Sequence, residues 1–387
     1  MKRLVLFFLL FGLLVSCSDN KKTGSKILIQ TILVYMAGEN SLSSFTQTNL
    51  KSIVEGAQNS SIDNCNLLVY IDSREKDTIT HQAILPKLYK IEKNKSGIVA
   101  PVVVKTYEDQ NSADIKIMNS VIEEVFEWYP ANEKGLFLWS HGTAWLPSDL
   151  NNYTGLRSFG QDGSNHMEIT ELKEALPEGF DYIVFDACYM ANVEVVYELR
   201  DKSNYFVGSS TEIMGDGFPY WLTLPELIAD KPLEERLVDI ATSFYNYYNA
   251  QEGAYRTGNI SVVRSSGLVD LAAYCRSLLS GTYLEDQMVD PSEYGLNRQA
   301  LEYLTRPFSY SFLYDFTDYL SLFTDKEIDL TSVVAYHATT PKAFFAEPYI
   351  QKPINTYSGL SIYVPQTKNP KMNEWYKQLD WYKAVYE

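Results

Sequence analysis

Histidine and cysteine are scarce in this sequence, with four of each in 387 residues. The histidines are scattered without the spacing of zinc ligands, at His81, His141, His166 and His337. The sequence also lacks the glycine-rich motifs of nucleotide binding, His-Glu-x-x-His, Cys-x-x-Cys and Gly-x-Ser-x-Gly. These absences argue against dinucleotide, nucleotide and common zinc chemistry, and we expect no metal site.

Basic residues are also fewer than acidic residues in this sequence. The chain has 33 lysines and arginines against 49 acidic residues, which gives a formal net charge of −16. No basic excess is present to displace counterions from phosphates, so nucleic acid is not an expected partner. The hydrophobic fraction of 45% and the charged fraction of 21% exclude a disordered, collagen-like or multi-span membrane chain.

The N-terminal segment is typical of an export signal. Lys2 and Arg3 precede an apolar run that is too short to span a bilayer, and this run ends at Cys17. The pattern resembles a bacterial lipoprotein signal, which implies removal of residues 1–16, lipidation of Cys17 and a polar tether over residues 17–26. The resemblance predicts an exported protein, lipid-anchored to a bacterial membrane or cell surface. A plain secretory signal is the alternative.

Three cysteines remain after the signal, at Cys65, Cys188 and Cys275. An odd number of cysteines in an exported chain predicts at least one free thiol. Such a thiol has either a functional role or a place in the core as a small apolar side chain.

Short apolar strands alternate with segments of helical periodicity through the first two thirds of the chain. This order predicts an α/β fold with a mostly parallel sheet that is covered by helices on both faces. We place a catalytic domain at residues 27–255 and a C-terminal α+β subdomain at residues 256–387. Ligands of such sheets bind beyond the carboxyl ends of the strands.

One histidine and one cysteine follow predicted strands. His141 comes after the strand 136–139, and Cys188 comes after the strand 182–185 and before a predicted helix over residues 190–199. If the two strands are neighbours, both side chains lie at one edge of the sheet, where the helix dipole would stabilise a Cys188 thiolate. Cys188 is then a candidate nucleophile and His141 a candidate proton carrier. The N–H groups of Gly142 and Cys188 are candidate oxyanion donors.

Four segments resemble the clostripain-like cysteine peptidases. They are LVYMAGENSLSS at residues 33–44, FLWSHGTAW at 137–145, FDACYMANVEVVYEL at 185–199 and YSGLSIYVP at 357–365. The resemblance implies a caspase-like three-layer sandwich, a His141/Cys188 dyad, and peptide or protein substrates that are cleaved after a basic residue.

Two acidic residues match the substrate pocket of that family. Asp186 precedes Cys188 by two residues, and Asp216 lies in the turn Gly-Asp-Gly-Phe-Pro. Two carboxylates in a concave site would pair with a basic side chain, and would favour Arg over Lys if the contact is bidentate. The alternatives are that Asp186 caps the following helix and that Asp216 only serves its turn. A third acid, Glu212, is expected to be exposed to solvent.

Two further expectations concern processing and cofactors. Some family members cleave themselves between the histidine and cysteine segments, and Arg157 is the only basic residue in the polar stretch 148–165. We expect no cofactor. Calcium binding is a weaker possibility. Candidate ligands alternate over residues 162–168, but their spacing does not match a calcium loop. The turn at 38–40 is less acidic than in many family members, which also weakens the case for calcium there.

Two other functions are open at this stage. One is a binding lipoprotein that keeps the peptidase fold without turnover. The other is a different thiol enzyme, such as a transpeptidase, which would transfer the acyl group to an amine.

Overall fold

The computed structural model describes residues 30–74, 83–147, 158–280, 304–305, 308–309, 312–345, 350–367 and 369–387. The predicted signal and tether, the lipidation site Cys17 and the predicted processing site Arg157 lie outside these residues. In the part of the chain that the structure covers, no helix combines the length and the apolar character needed to cross a membrane.

The described residues form short strands and helices that alternate over much of the chain. The strands are β1 (Gln30–Gly38), β2 (Cys65–Ser73), β3 (Lys87–Lys93), β4 (Val99–Thr106), β5 (Glu133–Trp139), β6 (Phe159–Asp162), β7 (Asn165–Met167), β8 (Phe180–Asp186), β9 (Ser203–Gly208), β10 (Asn259–Arg264), β11 (Leu304–Thr305), β12 (Phe308–Ser309), β13 (Leu313–Asp315), β14 (Val334–Thr339), β15 (Lys342–Phe345), β16 (Ile350–Pro353) and β17 (Ser361–Tyr363). The helices are α1 (Ser43–Gln58), α2 (Ile115–Trp128), α3 (Ile169–Ala175), α4 (Val193–Glu198), α5 (Tyr220–Ile228), α6 (Leu233–Asn249), α7 (Leu268–Leu279), α8 (Phe316–Leu320), α9 (Pro370–Tyr376) and α10 (Asp380–Tyr386).

The main sheet has the spatial order β14-β10-β9-β8-β5-β1-β2-β3-β4. Its central strands, β9, β8, β5, β1 and β2, are parallel to one another. The strands outside them pair antiparallel, β3 and β4 at one edge and β10 and β14 at the other. Every residue of β1 and β2 is buried, as is typical of parallel strands with both faces covered.

Helices pack on both faces of this sheet. Alternate residues of β1 belong to two separate apolar clusters, with Leu33 and Tyr35 in one and Ile32 and Val34 in the other, because successive side chains of a strand point to opposite faces. The first cluster includes residues of α2, α3, α4, α7 and α10, and the second includes residues of α1, α5 and α6. The predicted three-layer α/β sandwich is therefore confirmed.

Strands from both halves of the chain contribute to the main sheet. The predicted boundary at residue 255 lies between α6 and β10, and β10 continues the sheet by pairing with β9. β14 adds the last strand at that edge, whereas β13 pairs with β17 and β15 pairs with β16 outside the main sheet. The division into two domains stays a prediction, and any C-terminal subdomain shares the main sheet with the first half.

A carboxyl group of α4 is buried in the core. Glu194 is 0% exposed, its Oε1 accepts a hydrogen bond from the N–H of Tyr363 at 2.9 Å, and its Oε2 has no hydrogen-bond partner among the described residues. Burial raises the pKa of Glu194 to about 7, although the hydrogen bonds oppose this shift. A buried carboxyl with such a pKa holds a proton that the unfolded chain has already lost.

We expect Glu194 to make stability depend on pH. Between pH 4.5 and 7 the folded chain binds one more proton at this site than the unfolded chain, so the free energy of unfolding falls as pH rises. From pH 4.5 to 8, it should fall by about 3 kcal/mol more in the parent chain than in Glu194→Gln. Urea unfolding of both chains at the two pH values measures this difference, and parallel pH profiles would contradict it.

Candidate active site

The candidate site lies where two neighbouring parallel strands end. β5 and β8 pair in register, with Trp139 opposite Asp186. His141 and Cys188 each follow two residues later, so both lie at the same edge of the sheet. The loops that carry them are in contact, because a Cβ atom added to Gly142 would come within 2.7 Å of the carbonyl oxygen of Cys188.

His141 is half-buried and lies between two other loops. Its Nε2 is 2.8 Å from the Oγ of Ser41, which follows β1. Its backbone carbonyl accepts a hydrogen bond from the N–H of Gly160, in β6, at 3.0 Å. Ser41 carries no catalytic signal of its own in the sequence, although it lies inside the segment 33–44 that carries part of the family resemblance.

Cys188 carries a half-buried thiol beside the loop between β9 and α5. Its Sγ accepts a hydrogen bond from the N–H of Ile213 at 3.3 Å and lies 3.7 Å from the carbonyl oxygen of the same residue. Burial raises the pKa of Cys188, and the negative charge of Glu212 raises it further. Both effects favour the protonated thiol over the thiolate.

The expectation that the helix after Cys188 begins at residue 190 is wrong. α4 begins at Val193, where the side chain of Asn192 caps the helix by accepting from the N–H of Val195. Cys188 is separated from the helix by a turn in which Tyr189 has a φ of +65°, a left-handed conformation that interrupts a right-handed helix. The dipole of α4 falls off within its first turn and does not reach the thiol.

Gly142 is placed to offer its N–H group near Cys188. It forms an antiparallel bridge with Phe159, and the hydrogen bonds of this bridge come from the N–H groups of Gly160 and Thr143. The N–H of Gly142 therefore points away from the bridge. The role of Gly142 and Cys188 as oxyanion donors stays a prediction.

We expect Gly142→Ala to displace the loop that carries Cys188. The added Cβ would meet a backbone oxygen at 2.7 Å and the Cβ of Ala187 at 3.2 Å, and such overpacking costs about 1–3 kcal/mol. Activity should fall with the displacement. Gly179→Ala is a suitable control, because its φ of +86° strains an added side chain in otherwise open space. A Gly142→Ala chain as active as the Gly179→Ala chain would contradict the expectation.

Asp186, the last residue of β8, is 4% exposed. Its Oδ2 accepts hydrogen bonds from the N–H of Phe218 at 3.1 Å and from the hydroxyl of Tyr220 at 2.8 Å. Burial raises the pKa of Asp186 to about 6, and the two hydrogen bonds oppose this shift. The alternative that Asp186 caps the next helix is wrong, because Asn192 caps α4.

Asp216 is exposed and lies in a turn closed by a hydrogen bond from the N–H of Gly217 to the carbonyl of Met214 at 2.8 Å. The next residue packs on Asp186, since a Cβ on Gly217 would lie 2.6 Å from the Asp186 Oδ2. The structure thus brings both acids to one loop, one buried and one in solvent. The position of Asp216 is compatible both with the alternative that it only serves its turn and with the predicted pocket role, which stays a prediction.

The expectation that Glu212 is exposed is wrong. Its side chain is half-buried, and its Oε1 accepts a hydrogen bond from the hydroxyl of Tyr189 at 3.0 Å. This contact holds the left-handed residue after Cys188 against the loop between β9 and α5. The sequence offers no periodic signal for such a contact, because both residues lie in turns.

A model of the clostripain family matches residues 34–387. The chain belongs to the clostripain family. The predicted family resemblance is therefore confirmed over most of the chain.

Several members of the clostripain family are similar to this chain. An inactive zymogen C11 protease from Parabacteroides distasonis is 41% identical, with a TM-score of 0.80 over 93% of this chain and 99% of that one. A secreted C11 cysteine protease from Bacteroides thetaiotaomicron, solved with an irreversible peptide inhibitor, is 32% identical, with a TM-score of 0.75 over 92% and 98%. Clostripain of Hathewaya histolytica is 25% identical over 232 residues, which are 53% of this chain and 43% of that protein.

Proposed function

We propose that this chain is a cysteine endopeptidase that hydrolyses peptide bonds after basic residues, with Arg preferred over Lys. The observation that supports the proposal most directly is the buried carboxyl of Asp186 two residues before the thiol of Cys188, at the strand end that adjoins His141. Membership of a family whose solved members include a cysteine protease with a bound peptide inhibitor supports the same reaction.

The proposed reaction has two steps. His141 takes the proton of the Cys188 thiol, and the sulfur attacks the substrate carbonyl while the N–H groups of Gly142 and Cys188 stabilise the oxyanion. The C–N bond then breaks, His141 gives the proton to the leaving amine, and a thioester remains on Cys188. In the second step His141 removes a proton from water, the resulting attack breaks the C–S bond, and the thiol is restored.

The hydrogen bonds of Cys188 with Ile213 describe the resting thiol. Because burial raises the pKa of Cys188, ionisation requires a base at the moment of attack rather than a standing thiolate. Ser41 contributes by fixing the imidazole of His141 through its 2.8 Å contact with Nε2. Substrate binding beside the Ile213 loop would change the environment of the thiol directly.

The preference for basic residues is assigned to Asp186 and Asp216. Among the described residues, the two hydrogen bonds that Asp186 accepts go to Oδ2, and we assign Oδ1 as the oxygen that would bind a substrate guanidinium. A charged group that leaves water needs such a partner. Asp216 adds negative charge on the exposed side of the same loop. Arg is favoured because its planar fork suits a second hydrogen bond where Lys offers a point charge.

We further propose export, lipid anchoring and processing. A family member of 32% identity is described as secreted, which supports export of this chain. Lipidation of Cys17 and cleavage after Arg157 are proposed from the sequence alone.

A panel of fluorogenic peptides that end in Arg, Lys, Ala or Asp tests the proposal. We expect cleavage after Arg and Lys, with the higher kcat/KM for Arg, and no detectable cleavage after Asp. Equal rates after Ala and Arg would contradict the specificity. Binding of the peptides without cleavage would favour the alternative of an inactive binding protein, and joined products with an added amine would favour a transpeptidase.

A further inference from the structure

The carboxylate of Asp186 is hydrogen-bonded on one side. Among the described residues, the hydrogen bonds that it accepts, from the N–H of Phe218 and the hydroxyl of Tyr220, both go to Oδ2. None of the ion pairs in the described ranges includes Asp186. Since a buried carboxylate without a cation costs free energy, these two donors carry much of its stabilisation in the free protein.

Tyr220 holds its hydroxyl in a fixed position. It is 0% exposed and is the first residue of α5. Its ring packs against those of Phe137 and Phe218, at centroid distances of 5.7 and 6.4 Å. A tyrosine hydroxyl has one proton to donate, and Tyr220 donates it to the Asp186 carboxylate at 2.8 Å.

This hydrogen bond favours the charged form of Asp186. Burial and the negative charge of Asp186 raise the pKa of Tyr220 well above its usual value, so the hydroxyl keeps its proton. A hydrogen bond to a charged acceptor is about twice as strong as one to a neutral acceptor. Burial raises the pKa of Asp186 to about 6, and the hydrogen bonds from Phe218 and Tyr220 oppose this shift. Loss of the hydroxyl would leave the effect of burial less opposed.

The turn that carries Asp216 lies directly against the same carboxylate. A Cβ on Gly217 would come within 2.6 and 2.9 Å of the two oxygens of Asp186. The hydroxyl of Tyr248, in α6, donates to the carbonyl of Gly217 at 2.6 Å. Two buried tyrosines therefore hold this part of the site, Tyr248 through the turn and Tyr220 through the carboxylate.

We propose that Tyr220 is a positioning residue for specificity, whose hydroxyl keeps the Asp186 carboxylate charged and leaves Oδ1 for the basic side chain of the substrate. This role rests on the proposed function, in which Asp186 binds that side chain. With two protein donors on Oδ2, the carboxylate is held before substrate arrives, and less freedom is lost on binding.

Other titratable groups surround Asp186. They are Tyr220 of α5, Tyr248 of α6, Cys188 in the loop after β8 and Asp216 of the turn. Burial raises the pKa of both tyrosines and of Cys188, which moves their titration away from pH 6. Asp216 is exposed, and its share is measured with Asp216→Asn.

Tyr220→Phe removes the hydroxyl and keeps the ring. The ratio of kcat/KM for an arginyl peptide to that for an alanyl peptide should fall at low pH with a midpoint about one pH unit higher than in the parent chain. Titration of His141 and Cys188 affects both peptides and cancels in the ratio. A midpoint equal to that of the parent would overturn the proposal.

Tyr182→Phe is the matched control. Tyr182 lies on β8, is 0% exposed and belongs to the same apolar cluster as Tyr220, but its hydroxyl has no hydrogen-bond partner among the described residues. Its loss should leave the ratio and the midpoint as in the parent chain. An equal rise of the midpoint in Tyr182→Phe would contradict the assignment to Tyr220.

Unfolding in urea gives a measurement that does not need peptidase activity. The hydroxyl of Tyr220 bonds a carboxylate at pH 8 and a neutral carboxyl at pH 5, because Asp186 gains a proton as pH falls through 6. Tyr220→Phe should therefore lower the urea midpoint more at pH 8 than at pH 5, and this difference should vanish in an Asp186→Asn background. An equal loss at both pH values would show a merely structural hydroxyl and overturn the proposal.

Two outcomes separate the role of Tyr220 from the proposed function. If Asp186→Asn abolishes the preference for Arg while Tyr220→Phe keeps the midpoint of the parent, the proposed function stands and the role of Tyr220 is wrong. If the parent chain has no preference for Arg, the proposed function fails, and the specificity role of Tyr220 fails with it.

Discussion

Cys188→Ala is expected to lower kcat/KM for an arginyl peptide by about 10⁴- to 10⁶-fold. The nucleophile and its proton carrier act together, so without the nucleophile only substrate binding and oxyanion stabilisation still contribute to catalysis. The substitution should leave the fold intact because Cys188 is half-buried in the loop between β8 and α4 and only packs against the edge of a core cluster. Unchanged circular dichroism and Tm would verify this. Cleavage that survives the substitution would remove the proposed mechanism.

Cys65→Ala provides the matched control. Cys65 is a free thiol at the start of β2, 7% exposed, and burial raises its pKa to about 12. Cys275 is also free and fully buried. Of the three cysteines that the structure describes, a thiol-directed peptide inhibitor should therefore modify one, and mass spectrometry should locate it at Cys188. Cys65→Ala should keep full activity and the same modification.

Asp186→Asn is expected to lower kcat/KM for an arginyl peptide by about 10²- to 10³-fold and to leave the low rate on an alanyl peptide nearly unchanged. Asparagine has the shape of aspartate and can still accept from the N–H of Phe218 and the hydroxyl of Tyr220, so the loop should stay in place. The loss comes from a guanidinium that is buried without an opposite charge, which costs about 2–5 kcal/mol when one partner of a buried pair is removed.

The pH profile gives an independent check on Asp186. Because its pKa is raised to about 6, the carboxyl gains a proton as pH falls through 6 and loses the charge that attracts Arg. The ratio of the arginyl rate to the alanyl rate should therefore fall below pH 6 in the parent chain and stay flat in Asp186→Asn. Asp216→Asn, at an exposed position, should have a smaller effect. A ratio that is equal in parent and Asp186→Asn would exclude Asp186 as the specificity residue.

Much of the main sheet, and the edge of it at which the candidate site lies, could be predicted from the sequence. The strands before His141 and Cys188 are short, apolar and buried on both faces, and runs of this kind are recognisable because a parallel strand in the centre of a sheet has no polar face. Their placement side by side is a condition that the sequence leaves open, since consecutive strands are not always neighbours, and the structure meets this condition. Parallel strands then bring their carboxyl ends to one edge.

The details around the thiol could not be predicted in this way. The start of α4 depends on the cap by Asn192 and on the left-handed turn at Tyr189, which local apolar periodicity does not reveal. α5 was missed because Pro225 interrupts its helical pattern.

The order of the strands has a consequence for a chain cut after Arg157. β1 to β5 would belong to one fragment and β6 to β17 to the other, yet β5 and β8 lie side by side at the centre of the sheet. The two fragments would together form the apolar clusters on both faces of the sheet. They would also share the edge of the candidate site, with His141 from the first fragment and Cys188 from the second. Such a protein would purify as a non-covalent heterodimer, and its fragments would separate only under denaturing conditions.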